Sequence, residues 1–146
     1  MSAPDSNVLF LCTGNYYRSR FAEHLFNHYA PMSELPWRAF SRGLATHLVP
    51  AKAGPISIHT LEALVVRGIT GVQLRSPISL AEHDLVAAHH IVALKHAEHH
   101  PLIKQNFPAW FDRVEYWQVD DNGDESPEVA LPQIEIAVLD LLKRLR

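Results

Sequence analysis

The chain has 146 residues, 47% of them hydrophobic and 20% charged, which predicts one globular domain spanning residues 1–146. A formal net charge of −3 gives no reason to expect a nucleic-acid or membrane-surface partner. The single cysteine excludes an internal disulfide and favours a reducing, cytoplasmic location, and no apolar run suits a signal peptide or a membrane span.

The first third of the chain predicts a strand, a loop, a helix and a second strand. Residues 8–12 form a continuous apolar run, as expected of a parallel strand buried on both faces. Apolar residues at helical spacing predict a helix over 19–29, which Pro31 is expected to end. A second strand is predicted over 37–41, and the stretch 44–54 is expected to be irregular.

The remainder of the chain alternates between predicted helices and strands. Helices are predicted over 58–65, 80–87, 96–106 and 132–145, and strands over 91–94 and 114–119. Gly68 is expected to close the first of these helices, and Ser79 with Glu82 forms a possible capping box for the second. The alternation predicts an α/β three-layer sandwich, a four-stranded parallel sheet with helices on both faces.

The segment from Cys12 to Ser19 carries the most specific chemistry. Its thiol lies where a strand ends and just before a helix, and a helix N-terminus and a nearby cation both favour a thiolate. Five residues separate Cys12 from Arg18, enough for the backbone to surround a tetrahedral anion, and Gly14 and Asn15 tolerate the conformations this requires.

Arg18 offers a planar fork to two phosphate oxygens, and the Ser19 hydroxyl could donate a hydrogen bond to the sulfur. The alternative is that Cys12 is simply a small buried hydrophobic residue. We predict a phosphate-binding loop made of Thr13, Gly14, Asn15, Tyr16, Tyr17, Arg18 and Ser19.

The sequence Val8-Leu-Phe-Leu-Cys-Thr-Gly-Asn-x-x-Arg-Ser19 resembles the signature of low-molecular-weight protein tyrosine phosphatases, and of arsenate reductases that share their fold. Ser41-Arg-Gly43 matches a Ser-x-Gly that closes the second strand in that family. The resemblance implies the phosphotyrosine protein phosphatase I-like fold, with Cys12 as nucleophile, and with Asn15, Ser19 and Ser41 as supporting residues.

The family also supplies a general acid, an aspartate followed by proline, on a late loop. Here that place is taken by Asp120-Asp121-Asn122, without the proline. Counting from Trp117, Asp121 matches the catalytic position and is preferred over Asp120. The alternative is a solvated acidic loop with no catalytic role.

Four residues depart from the family pattern. Tyr17 replaces a second cysteine that often precedes the arginine, and Arg20 replaces a proline and is expected to add a cation near the mouth. Arg67 replaces a histidine of that family's structural network around the loop, so Asn15 and Ser41 are expected to be held differently. Tyr16 takes the place of an apolar residue on the pocket wall, where it could stack on an aryl ring or merely pack nearby.

Six of the ten histidines lie between His83 and His100, and His96, His99 and His100 could bind a transition metal. No His-Glu-x-x-His motif accompanies them, so a polar helix face is the preferred interpretation. We predict neither a metal nor a cofactor.

These patterns predict a cysteine-dependent phosphatase acting on phosphotyrosine or other aryl phosphate monoesters through a thiophosphate intermediate. Its partner would be a phosphorylated protein or a small aryl phosphate, and the oligomeric state is left open. One rival is an arsenate reductase that uses an external small thiol, since the cysteines of a disulfide relay are missing. The other is a catalytically weak phosphate-binding module.

Overall fold

A computed structural model of the protein describes residues 6–146, which form a four-stranded parallel sheet between two layers of helices. The predicted α/β fold is confirmed. The strands, in the spatial order β2-β1-β3-β4, are β1 (Ser6–Cys12), β2 (Trp37–Gly43), β3 (His90–Ala93) and β4 (Glu115–Tyr116). The helices are α1 (Arg18–Met32), α2 (Ile58–Val66), α3 (Glu82–Ala87), α4 (His96–Asn106) and α5 (Pro127–Arg144).

The apolar run of β1 is continuous because this central strand is covered on both faces. Val8 and Phe10 pack into a core shared with α1, α2 and α5, whereas Leu9 and Leu11 pack into a second core with α3 and α4. The alternation follows from the two-residue period of a strand. All four strands are parallel, so their carboxyl ends, including Cys12, lie at one edge of the sheet.

Two helix boundaries differ from the prediction because proline is tolerated near helix ends. α1 continues through Pro31 to Met32, since proline removes only its own hydrogen bond and the Ser33 N–H still bonds to the carbonyl of Tyr29. α5 begins at Pro127, five residues before the predicted start, with proline in the first helical position, where its missing N–H costs nothing.

The other two differences come from tertiary contacts. α3 begins at Glu82, and the Asp84 carboxylate accepts a hydrogen bond from the Ala81 N–H. The predicted capping box is therefore wrong, and the Ser79 hydroxyl bonds instead to that of Thr46, 2.6 Å away. The fourth strand is shorter than predicted, and Gly68, with φ 75°, follows α2 as expected.

Within residues 6–146, no helix is both long and apolar enough to cross a membrane.

Glu115 of β4 connects the edge strand to α5 by hydrogen bonds, and its environment predicts how the stability of the protein depends on pH. Its carboxylate contacts His90 Nε2 at 2.9 Å, Trp117 Nε1 at 2.6 Å and Arg144 Nη2 at 2.7 Å. The hydrogen bond with His90 lowers the pKa of Glu115, and burial opposes it. Together with the bonds from Arg144, it outweighs burial and holds this pKa well below its usual range.

A depressed folded-state pKa stabilises the protein above the unfolded-state pKa of about 4.3, and this contribution is lost as pH falls. We expect Glu115→Gln to lower the free energy of unfolding by about 1–3 kcal/mol at neutral pH, and the difference from wild type to shrink towards about pH 3. Urea unfolding of the variant and the wild type, at neutral pH and at about pH 3, measures this difference. The control is Asp140→Asn, at an exposed carboxylate that also contacts Arg144, and an equal loss in both variants would contradict the prediction.

Candidate active site

The loop between β1 and α1 places the only thiol of the chain at the edge of the sheet. Cys12 is 2% exposed, and its sulfur lies 2.9 Å from Ser19 Oγ and 3.3 Å from the backbone nitrogen of Asn15. α1 begins at Arg18, so its N-terminus adjoins the loop. A hydroxyl, a backbone N–H and a helix N-terminus thus surround the sulfur, and helix N-termini and N–H groups are the usual binding partners of anions.

The side chain of Asn15 connects the loop to two other parts of the chain. Its Oδ1 accepts hydrogen bonds from Arg75 Nη1 at 2.9 Å and from the Ile78 N–H at 3.0 Å, and both partners can only donate. Its Nδ2 therefore donates to Ser19 Oγ and Ser41 Oγ, each 2.9 Å away. Ser19 Oγ accepts this bond from Asn15 and a second one from the Cys12 thiol, and its own proton can turn to the sulfur once the thiol has lost its proton.

Backbone conformation explains the residue types at two positions. Asn15 has φ 52°, in the left-handed region that asparagine tolerates better than most residues. Gly43 ends β2 directly against the loop, and a Cβ built there would lie 3.0 Å from the Asn15 Cβ and 2.6 Å from Thr46 Cγ2. The Ser-x-Gly sequence thus provides one hydroxyl for Asn15 and one close approach of the backbone.

Arg18 is 1% exposed, and its guanidinium is held from one side. Nη1 and Nη2 donate to Glu98 at 3.1 and 2.5 Å, and Nη1 also donates to the carbonyl of Val119 at 2.9 Å. Within the described part of the chain, residues 6–146, Nε has no hydrogen-bond partner, and it lies 3.5 Å from an oxygen of Asp121. Burial works against the charge of Arg18, but the hydrogen bond to Glu98 and the surrounding negative groups raise its pKa above the ordinary value.

A cavity of about 80 Å³ opens over the thiol. Asp121 lines it with a side chain that is 46% exposed, whereas Asp120 is paired with Lys95 Nζ at 2.7 Å. The structure therefore brings Asp121, and not Asp120, to the cavity that Cys12 borders. The lining residues are Cys12, Gly14, Tyr16, Tyr17, Arg18, Val49 and Asp121.

The two tyrosines of the loop differ in environment. Tyr16 lines the cavity and donates from its hydroxyl to the carbonyl of Ala53, 2.6 Å away. Tyr17 is buried in the core beside α1, and burial, with the nearby charge of Asp121, raises its pKa to about 12. Thr13 is not among the residues lining the cavity, because its hydroxyl bonds to Glu98.

Asn15 and Ser41 are held by an arginine from a later segment of the chain. Arg75 bonds to Asn15 and, at 3.1 Å, to Ser41 Oγ, whereas Arg67 pairs with Glu135 across α2 and α5 at 2.9 Å. The expectation that Arg20 adds a cation near the mouth is wrong. Its buried guanidinium donates to backbone carbonyls beneath the loop, and burial, with the charge of Arg75, lowers its pKa to about 10.

Sequence reasoning missed Glu98 and misread His99. His99 is fully buried, accepts a hydrogen bond from the Lys95 N–H at Nδ1, and contacts Thr13 Oγ1 with Nε2 at 3.1 Å. His96 and His100 stack on each other with centroids 4.8 Å apart. Across residues 6–146, no group of three or more histidine, cysteine or acidic side chains is arranged to hold a metal ion.

The family model described as low molecular weight phosphotyrosine protein phosphatase matches residues 7–145. The chain belongs to this family. The family consists of phosphatases, which are hydrolases, and Cys12 is the catalytic cysteine of its phosphate-binding loop.

The relatives of this low-molecular-weight phosphatase include arginine phosphatases and a tyrosine phosphatase. The chain is 31% identical over 108 residues to the protein-arginine-phosphatase of Bacillus subtilis (strain 168), covering 74% of this chain and 67% of the relative. A solved low molecular weight protein tyrosine phosphatase from T. tengcongensis is 27% identical, with a TM-score of 0.75 over 97% of each chain. A solved mutant of the YwlE arginine phosphatase, with a phosphorylated active-site serine, is 26% identical, with a TM-score of 0.77 over 95% of each chain.

Arg75, which contacts the loop network, and Arg67, which lies outside it, provide a matched test. We expect Arg75→Met to lower kcat/KM about tenfold or more, because Asn15 and Ser41 lose their shared partner and the loop is held less firmly. Arg67→Met removes an arginine of similar burial outside the loop and should change kcat/KM less than about twofold. Steady-state kinetics on an aryl phosphate measures both, and equal losses would contradict the assignment.

Proposed function

We propose that the protein hydrolyses phosphotyrosine, or another aryl phosphate, in a phosphorylated protein substrate, through a thiophosphate intermediate on Cys12. The observation that carries the proposal is the shared cavity: Cys12, Arg18 and Asp121 all line it, and Arg18 Nε lies 3.5 Å from an oxygen of Asp121. These are the nucleophile, anion-binding group and proton donor that phosphate monoester hydrolysis needs.

In the first step, the Cys12 thiolate attacks phosphorus and forms the S–P bond while the bond from phosphorus to the phenolic oxygen breaks. Protonated Asp121 gives its proton to the departing oxygen. Arg18 Nε and the loop N–H groups hold the equatorial oxygens as charge redistributes. Support for a covalent intermediate comes from the YwlE arginine phosphatase mutant, which carries phosphate on its active-site serine.

In the second step, water attacks phosphorus, the S–P bond breaks and inorganic phosphate leaves. The Asp121 carboxylate, now ionised, takes the proton from the water. The electron pair of the S–P bond returns to sulfur as a thiolate. The Ser19 hydroxyl, 2.9 Å from that sulfur, stabilises it as a leaving group.

The walls of the cavity favour an aromatic leaving group. Tyr16, Tyr17 and Val49 line it, and an aryl ring can stack on or abut such surfaces. The hydrogen bond from Tyr16 to Ala53 holds one of these rings in place. Phosphoarginine is the second candidate, because a curated relative is named a protein-arginine-phosphatase and the partly exposed Asp121 carboxylate would pair with a guanidinium.

The catalytic roles are tested on an aryl phosphate with a poor leaving group. We expect Cys12→Ser to abolish turnover, and Asp121→Asn to lower kcat about 100-fold or more, because the leaving oxygen loses its proton donor. Asp120→Asn is the matched control and should retain most activity, since Asp120 is bound to Lys95. Loss of activity in Asp120→Asn with none in Asp121→Asn would exchange the two roles.

The substrate is tested with two peptides that differ only in carrying phosphotyrosine or phosphoarginine. We expect a larger kcat/KM for the phosphotyrosine peptide than for the phosphoarginine peptide. Tyr16→Ala should reduce the ratio of these two values, because it removes the aromatic wall. The rate of inorganic phosphate release gives kcat/KM for each peptide. Preference for phosphoarginine would support the second candidate, and thiol-dependent loss of arsenate in a parallel assay would support the reductase.

A further inference from the structure

Glu98, in the first turn of α4, reaches across the edge of the sheet to the phosphate-binding loop. Its carboxylate accepts both terminal nitrogens of Arg18, the hydroxyl of Thr13 and a contact from His99 Nε2 at 3.1 Å. It does not line the cavity over the thiol, and it is 31% exposed. The contacts of Glu98 with Arg18 therefore involve a residue outside the lining of the cavity.

We propose that Glu98 is a positioning residue for the phosphatase reaction, which fixes the guanidinium of Arg18 so that its Nε edge faces the phosphate. This inference rests on the proposed function, because it assigns the orientation of the group that holds the transferred phosphoryl oxygens.

The geometry of Arg18 supports this role directly. A guanidinium has five N–H donors in one rigid plane, so fixing two nitrogens fixes the direction of the third. Glu98 holds Nη1 and Nη2, and the Val119 carbonyl holds Nη1 a second time. Nε is buried and has no hydrogen-bond partner among residues 6–146, and an Asp121 oxygen lies 3.5 Å from it.

Thr13 and His99 hold the carboxylate in turn. The Lys95 N–H donates to His99 Nδ1 at 3.0 Å, so the single proton of a neutral imidazole lies on Nε2, which faces Glu98 and Thr13. Burial lowers the pKa of His99, which keeps the ring neutral. Despite burial, the hydrogen bonds from His99 and Arg18 hold the pKa of Glu98 well below its usual range, so the carboxylate stays ionised.

The positioning role of Glu98 and its negative charge predict opposite effects of its removal on phosphate binding, which makes the inference testable. Glu98 is an anion beside a site that binds anions, so by charge alone its removal should tighten phosphate binding. If its main role is to orient Arg18, its removal should weaken phosphate binding and slow the chemical step, although the site becomes more positive.

The experiment compares Glu98→Gln and Glu98→Asp with Glu135→Gln, which removes the carboxylate partner of Arg67 outside the loop. We expect Glu98→Gln to lower kcat about 10- to 100-fold with a smaller change in KM, and to weaken binding of inorganic phosphate, measured by calorimetry, about fivefold or more. Glu98→Asp keeps the charge but shortens the reach, and should lower kcat as well. Glu135→Gln should leave both quantities close to wild type.

Tighter phosphate binding in Glu98→Gln, or wild-type kcat in Glu98→Asp, would overturn the positioning role. Thermal unfolding of all variants separates loss of fold from loss of orientation, and Glu98→Asp serves if Glu98→Gln does not fold. If wild type lacks aryl phosphatase activity, the proposed function fails. The calorimetric comparison still decides whether Glu98 orients the anion-binding arginine.

Discussion

The amide of Asn15 makes four hydrogen bonds, and the geometry of the active-site loop depends on them. Two donors from residues 75 and 78 fix its oxygen, which leaves its nitrogen to bind the hydroxyls of Ser19 and Ser41. Its backbone N–H points at the sulfur of Cys12. The left-handed backbone of Asn15 and the close approach of Gly43 serve the same end, which is to surround the thiol with donors before any substrate arrives.

The sequence was most informative where function depends on neighbours along the chain. The strand, the loop and the start of α1 could be predicted because Cys12, Arg18 and Ser19 lie within eight residues and their pattern is local. Arg75 and Glu98 could not, because they reach the loop from 60 and 80 residues away, through contacts that only the packed sheet creates. One clue to Glu98 was available: it follows β3 in the first turn of the next helix, at the edge of the sheet where ligands bind.

Elements that are distant in sequence hold Arg18 and the phosphate-binding loop in place. α4 supplies the carboxylate that binds Arg18, and the segment after α2 supplies Arg75 beside Asn15. Arg67, which replaces the family's histidine, ends α2 facing α5 and pairs with Glu135 instead. Asp121, the proposed general acid, is held less firmly: it is half exposed, and the residue after it is asparagine rather than a rigid proline.

Arg20 has a consequence for how the protein attracts its anion. Its guanidinium is buried, and its hydrogen-bond partners within residues 6–146 are backbone carbonyls, with Glu23 as a nearby negative charge. Dissolved ions screen exposed charges strongly and buried ones weakly. The contribution of Arg20 to the potential at this loop should therefore depend little on ionic strength, although the chain as a whole carries a net charge of −3.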